Sequence, residues 1–227
     1  MTLSTLRTLC RIFIPEISST DVLSSTNLDI LINLAATEFI KETDALPTSG
    51  LFTVSTNTQT YAISTFITTF GKIRKEGIWY YNGSTSKWNQ LDGTTIAYLN
   101  KNFSSWLNAS SGLPMRYWIE GNEIGFDPKP SSTYAGTDYV KIFYYKRSVD
   151  MTADTHYPFS GSTTQYPHLA NYEEVLFDWI KYRVKQIIGK GGDAEEAKGL
   201  FYIKCAGIRQ NLVYRPDLIP DHKLRGL

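Results

Sequence analysis

Apolar residues along this chain recur with two periods, and the period changes twice. In residues 171–188 they fall at Tyr172, Val175, Leu176, Trp179, Ile180, Val184, Ile187 and Ile188. That is the three-and-four spacing of a helix with one wide apolar stripe. Glu173 and Glu174 stand in its first turn, where the helix dipole favours negative charge, and Gly189 follows its last apolar position, where a left-handed glycine often ends a helix. A stripe this wide needs covering elements, and both chain ends offer them. Leu3, Leu6, Cys10 and Phe13 predict a helix over residues 4–14, ended by Pro15. Residues 18–25, rich in Ser and Thr, read as a loop. Leu28, Leu31, Ile32, Ala35, Phe39 and Ile40 predict a second helix. It starts near Thr26, with Asp29 in a capping-box-like place, and is stopped by residues 47–50. Asp193 and Glu196 predict the capping box of a last helix, whose stripe is Ala197, Leu200, Phe201, Cys205, Ile208 and Leu212.

From Leu51 the period is two. Phe52 and Val54 alternate with polar residues, as do Tyr61 and Ile63. Residues 78–81 lead into Asn82-Gly83, a two-residue hairpin signal, and Trp88 begins the return strand. Ile96, Leu99, Phe103, Trp106 and Leu107 fit one short helix over about residues 95–107. The next hairpin turns at Gly121-Asn122, so Ile119 faces Ile124 and Tyr117 faces Phe126 on one side. On the other side Trp118 covers Gly125, and Glu120 meets Glu123 at the tip. Like charges there destabilise the pair mildly unless a basic partner sits over them. Pro128 and Pro130 end the strand. A last strand alternates Val140, Ile142 and Tyr144 against Tyr139, Phe143 and Tyr145.

Runs of one element type predict an α+β chain: an antiparallel helical bundle built from both chain ends, with an inserted antiparallel β sub-domain. The expected parts are bundle residues 1–48, a β insertion at 49–150, a loop at 151–170, bundle residues 171–212 and an extended tail at 213–227.

Composition narrows the partners. The chain has 227 residues and a formal net charge of +1, so no global field argues for nucleic acid or membrane. The aromatic share of 14% asks for buried β surface or a large protein interface. The N-terminus reads as no signal peptide, and no run reaches membrane-span length. Two cysteines make no disulfide framework, which fits synthesis in a reducing cytoplasm.

Candidate chemistry is thin. His156, His168 and His222 lack metal-ligand spacing with Cys, Asp or Glu. Cys10 and Cys205 lie on apolar helical faces, as buried inert thiols do. The run at residues 189–192, Gly-Lys-Gly-Gly, follows a helix and lacks a Ser or Thr after its Lys, so it reads as a turn and not a phosphate loop. Asp150 and Asp154 do not follow the calcium-hand pattern. Glu120 and Glu123 sit at a hairpin tip, a poor place for carboxylate catalysis, and read as solvent- or partner-facing acids. Trp79, Tyr80, Tyr81, Trp88, Tyr117 and Trp118 are either part core and part interface, or a stacking platform for sugar or nucleic acid. No set suggests an enzyme or a cofactor.

Residues 112–130, GLPMRYWIEGNEIGFDPKP, carry Gly112 and Pro114 before the Tyr117 strand, the Gly121 turn, and the Ile124 and Phe126 strand running into Pro128 and Pro130. With the aromatic strand at 142–145, the restart at Tyr166 and Pro167, and a helix bearing Leu31, Ala35 and Phe39, the order of pieces resembles the head-to-tail adaptor proteins of tailed bacteriophages, also called connector or tail tubular A-like proteins. The resemblance implies a non-enzymatic virion protein, made in the host cytoplasm and placed in the neck between head and tail. It implies a ring of copies, a dodecamer, beneath the portal protein, which lengthens the DNA channel and receives tail or nozzle proteins. DNA is expected to slide through without sequence-specific binding, which suits a near-neutral chain. A head-to-tail ring needs two different faces per subunit. The candidate interface residues are Tyr214, Arg215, Leu218, Ile219, Lys223, Leu224 and Arg225 in the tail, with Trp118, Glu120 and Glu123 at the hairpin. The competing reading is a carbohydrate-binding module using exposed aromatics, which would bind sugar as a monomer.

Overall fold

A computed structural model describes residues 1–18, 23–103 and 105–213 of the chain, which divides into two compact units. One joins Met1–Leu46 to the residues from Arg147 onward; the other is Pro47–Lys146. The fold is mixed α+β.

In the first unit the helical periods form helices, with boundaries moved by one to four residues. Helix α1, Leu3–Phe13, begins where the Thr2 hydroxyl accepts the Thr5 N–H, and Pro15 opens a short 3-10 turn after it. Helix α2, Ser25–Thr43, is capped by Ser24, whose hydroxyl accepts the Asn27 N–H at 3.2 Å. The expected cap at Thr26 and Asp29 is therefore corrected. Asp29 instead accepts two hydrogen bonds from the Arg7 guanidinium, at 2.8 and 2.9 Å, a bidentate tie from α1 to α2. Helix α2 ends at Asp44 in the left-handed region, φ 55°, and residues 47–50 already belong to a strand.

Helix α4, Val175–Ile187, starts four residues later than its stripe predicts, after a 3-10 stretch at Pro167–Tyr172. Glu173 explains part of the delay. It is buried, takes the N-terminal ammonium of Met1, and accepts the Gln165 amide at 3.2 Å. A buried carboxylate is tolerable only with such partners, so it is drawn inward and not offered to the helix dipole. Gly189 carries φ 78°, as a helix-ending glycine does. Helix α5, Gly191–Val213, starts two residues before Asp193, whose carboxylate pairs with Lys185 at 2.8 Å. Leu6, Cys10, Leu28, Ile32, Phe39, Leu176, Ile180, Phe201 and Cys205 share one core, with Phe159 and Leu169 from the connecting segment. This core therefore draws on α1, α2, α4 and α5 as well as on the connecting segment.

The second unit holds two four-stranded sheets. The first sheet sets β1 (Pro47–Val54) beside β8 (Gly136–Lys146), then β3 (Phe70–Asn82), then β4 (Lys87–Gln90), all antiparallel. The second orders β2 (Thr60–Ala62), β7 (Glu123–Asp127), β6 (Arg116–Glu120) and β5 (Asp92–Gly93). The pair β5 and β6 is parallel, which corrects the all-antiparallel expectation. Parallel neighbours need a crossover connection, and helix α3, Ile96–Asn102, lies in the chain between them. That helix stops before Phe103, short of the predicted 95–107. Trp106 instead opens a 3-10 turn that lays its ring edge-on against Trp118, centroids 4.9 Å apart.

The loop after β3 also differs from expectation. Asn82 pairs with Lys87, so four residues turn the chain, not two. The Asn82 carboxamide oxygen accepts the Ser84 and Thr85 N–H groups at 3.0 and 3.3 Å, and Ser86 supplies the positive φ, 56°. Phe52, Ile78, Tyr80, Val140 and Ile142 of the first sheet meet Ile124 and Phe126 of the second in one core. Phe52 and Tyr80 lie 6.1 and 5.8 Å from the Phe126 ring.

Candidate interaction surfaces

The β6–β7 hairpin is the best-defined part of the predicted interface. Its register is Tyr117 with Phe126, Trp118 with Gly125, Ile119 with Ile124 and Glu120 with Glu123. Gly121 turns the tip with φ 58°, a conformation that suits glycine. Asn122 holds the tip down: its amide donates to the Ser64 hydroxyl at 2.7 Å, and its carbonyl accepts the Ile63 N–H at 2.7 Å. Both tip carboxylates are exposed. Among the described residues no cation pairs with either at salt-bridge distance.

Trp118 behaves differently from its predicted interface role. It is 3% exposed, packed with Trp106 and Leu99 over Gly125. A ring so covered offers no free surface, so Trp118 is a core residue of this unit. Tyr80 is also buried, with its hydroxyl donating to the Tyr134 carbonyl, and Tyr117 is half-buried against the core. The platform of six aromatics is therefore broken up. Only Trp88 keeps a substantial open face, 38% exposed, beside Tyr81 at 5.4 Å. The tail residues Tyr214, Arg215, Leu218, Ile219, Lys223, Leu224 and Arg225 lie outside the described residues, as does His222.

Sequence reasoning missed the outward face of the first sheet as a surface. The pleat that buries Val140, Ile142 and Tyr144 turns Lys141, Phe143 and Tyr145 the other way. Lys72 lies 5.5 Å over the Tyr145 ring and Lys141 5.1 Å over the Phe143 ring. The Arg74 guanidinium sits 6.0 and 5.8 Å from the same two rings and is held by Glu76 at 2.7 Å. The alternation in β8 was legible in the sequence. The pairing of Lys72 with Tyr145 was not, because β3 slips register between Ile73 and Ile78.

The helical unit exposes single apolar side chains, among them Ile12, Phe13, Ile187 and Ile203. Among the described residues no helix is long and apolar enough to cross a membrane, and no His, Cys, Asp or Glu group of three could hold a metal. His156 accepts the Thr152 N–H at its Nδ1, and Asp154 pairs with Arg7.

Cys10 and Cys205 are fully covered, and burial pushes both thiols up to about 12. At pH 8 only roughly one such thiol in ten thousand is ionised in the folded chain, and the thiolate is the nucleophile. A disulfide reagent such as dithionitrobenzoate should therefore report neither thiol in native protein at pH 8 and both after denaturation. Fast reaction without denaturant would show that one is open. The raised values also fix a sign. The folded state holds these protons more tightly than the unfolded state, so their contribution is intact below about 9 and is lost as pH rises toward 12.

A family model described as SU10 adaptor protein matches residues 1–211. No curated protein matches the chain.

Proposed function

Because the chain belongs to the SU10 adaptor protein family, a family of phage structural adaptors, we propose that it forms the head-to-tail joint of a tailed bacteriophage. In this reading copies of the chain form a ring, a dodecamer, beneath the portal protein. The ring extends the DNA channel and docks tail or nozzle proteins in the virion neck. The observation that carries the reading is the extent of the family match, residues 1–211 of 227, which covers both units and every described element but the end of α5. The adaptor acts by binding and not by catalysis, and it needs no cofactor. Its helical parts, residues 1–48 and 171–212, act as an antiparallel bundle, with residues 49–150 as the β insertion between them in sequence.

The charge balance supports a channel role. A chain with net charge +1 binds the DNA phosphates too weakly to grip, so DNA can slide through. Residues 213–227 are the proposed docking arm. They place Tyr214, Leu218, Ile219 and Leu224 among Arg215, Lys223 and Arg225, an apolar and basic segment suited to a groove on the portal or a neighbouring copy.

Two experiments test this. DNA-filled heads lacking tails should become able to accept tails when the chain is added, and heads that stay inert would contradict the adaptor role. Deleting residues 213–227 should leave the helical signal of the chain intact and abolish attachment to heads. Normal attachment by the truncated chain rejects the docking arm.

A further inference from the structure

We propose that the outward face of the first sheet is the receiving half of the subunit contact, and that it takes the acidic hairpin tip, Glu120 and Glu123, of a second copy of this chain. The inference rests on the ring reading above and names the surfaces that would build the ring.

The receiving side is a basic face laid on aromatic rings. Strands β3 and β8 place Lys72, Arg74 and Lys141 on this face, with Glu76 paired to Arg74. Lys72, Arg74 and Lys141 are seated over Tyr145 and Phe143. A cation held over a ring has already given up side-chain freedom, so meeting a carboxylate costs less ordering. An ammonium also brings three donors, more than one contact consumes. Leu51, 48% exposed and paired in register with Lys141, adds an apolar patch beside the charges.

The giving side is the hairpin tip. Glu120 and Glu123 are Cα partners across the pair, so their charges oppose each other at close range. Approach of a basic surface relieves that repulsion, and the tip is stiffened by the contacts of Asn122 with Ser64 and Ile63. The two patches are different and complementary. That is the requirement for a heterologous contact, which closes into a ring when repeated around an axis. The near-zero net charge lets copies approach without long-range repulsion. A polyanion such as duplex DNA would use the basic face alone and leave the tip idle, so the two occupants can be told apart.

The test is a charge exchange read by native mass spectrometry of the full chain, alone and with the portal of the same phage. Lys72→Glu with Lys141→Glu gives two acidic patches; Glu120→Lys with Glu123→Lys gives two basic ones. Each double variant alone should need at least about tenfold more protein to assemble than the parent chain. An equimolar mixture of the two should assemble again, because every contact then pairs opposite charges. Circular dichroism confirms folding, and the neutral pair Lys72→Gln with Lys141→Gln serves as a gentler second variant. Parent rings with unchanged rings from the acidic and neutral variants overturn the contact and leave the ring reading standing. No ring from the parent chain, alone or with portal, overturns both. Loss of duplex DNA retention with unchanged rings assigns the face to DNA and overturns the contact.

Discussion

Phe39→Ala should destabilise the helical unit by about 3–5 kcal/mol, the cost of removing a fully buried aromatic ring. Phe39 is 0% exposed and lies 5.1 Å from the Phe159 ring, in a core that also includes Leu28, Leu176 and Phe201. Phe159, Leu176 and Phe201 come from segments well over a hundred residues from Phe39 in sequence, so they cannot collapse into the hole without moving whole segments. Guanidinium unfolding followed at the helical wavelength measures the loss. Leu34→Ala on the same helix is the control. Leu34 is 45% exposed, and its removal should change stability by no more than about 0.5 kcal/mol. Equal effects at the two positions would mean that the stripe of α2 is not covered as described.

The second large effect is expected at Gly125. A Cβ there would stand 2.0 Å from the Trp118 ring, far inside van der Waals contact. Trp118 cannot swing away easily, because Trp106 meets it edge-on and donates its indole N–H to the Asn100 carboxamide at 2.8 Å. Gly125→Ala should therefore cost about 3 kcal/mol, the upper range for overpacking. Trp118→Ala removes the obstacle at a cost of its own. In that background Gly125→Ala should become neutral or stabilising by about 0.5 kcal/mol, since alanine is the better strand residue. The coupling between the two changes, read from a double-mutant cycle, isolates the clash. Additive effects would show that the ring does not cover the glycine.

Much of this was legible because the period is a long-range statement written locally. The stripes of α1, α2, α4 and α5 name most residues of the helical core, since a helix must bury the face its sequence makes apolar, but Phe13, Ile187 and Leu200 of the same stripes stand exposed. The β6–β7 hairpin was legible to the residue pair, because one tight turn at Gly121-Asn122 fixes every pairing behind it. What failed depended on contacts between distant segments. Asp29 reads as a cap until Arg7 arrives from α1, and Glu173 reads as a first-turn acid serving the helix dipole until the N-terminal ammonium and Gln165 enclose it. Alternation puts Trp118 on the side opposite Tyr117, but only the cover from Leu99 and Trp106 makes it core. The two-residue strand β5 is too short to carry any period, so its parallel pairing left no trace. For the proposed interface, the acidic tip could be read directly. The basic face opposite needed the irregular register of β3 against β8.

Electron microscopy of the purified chain mixed with the portal of its own phage tests the central claim most directly. The account requires closed rings of the chain stacked coaxially on portal rings, with an open channel through both. Single copies scattered in the background, with bare portals beside them, would contradict it.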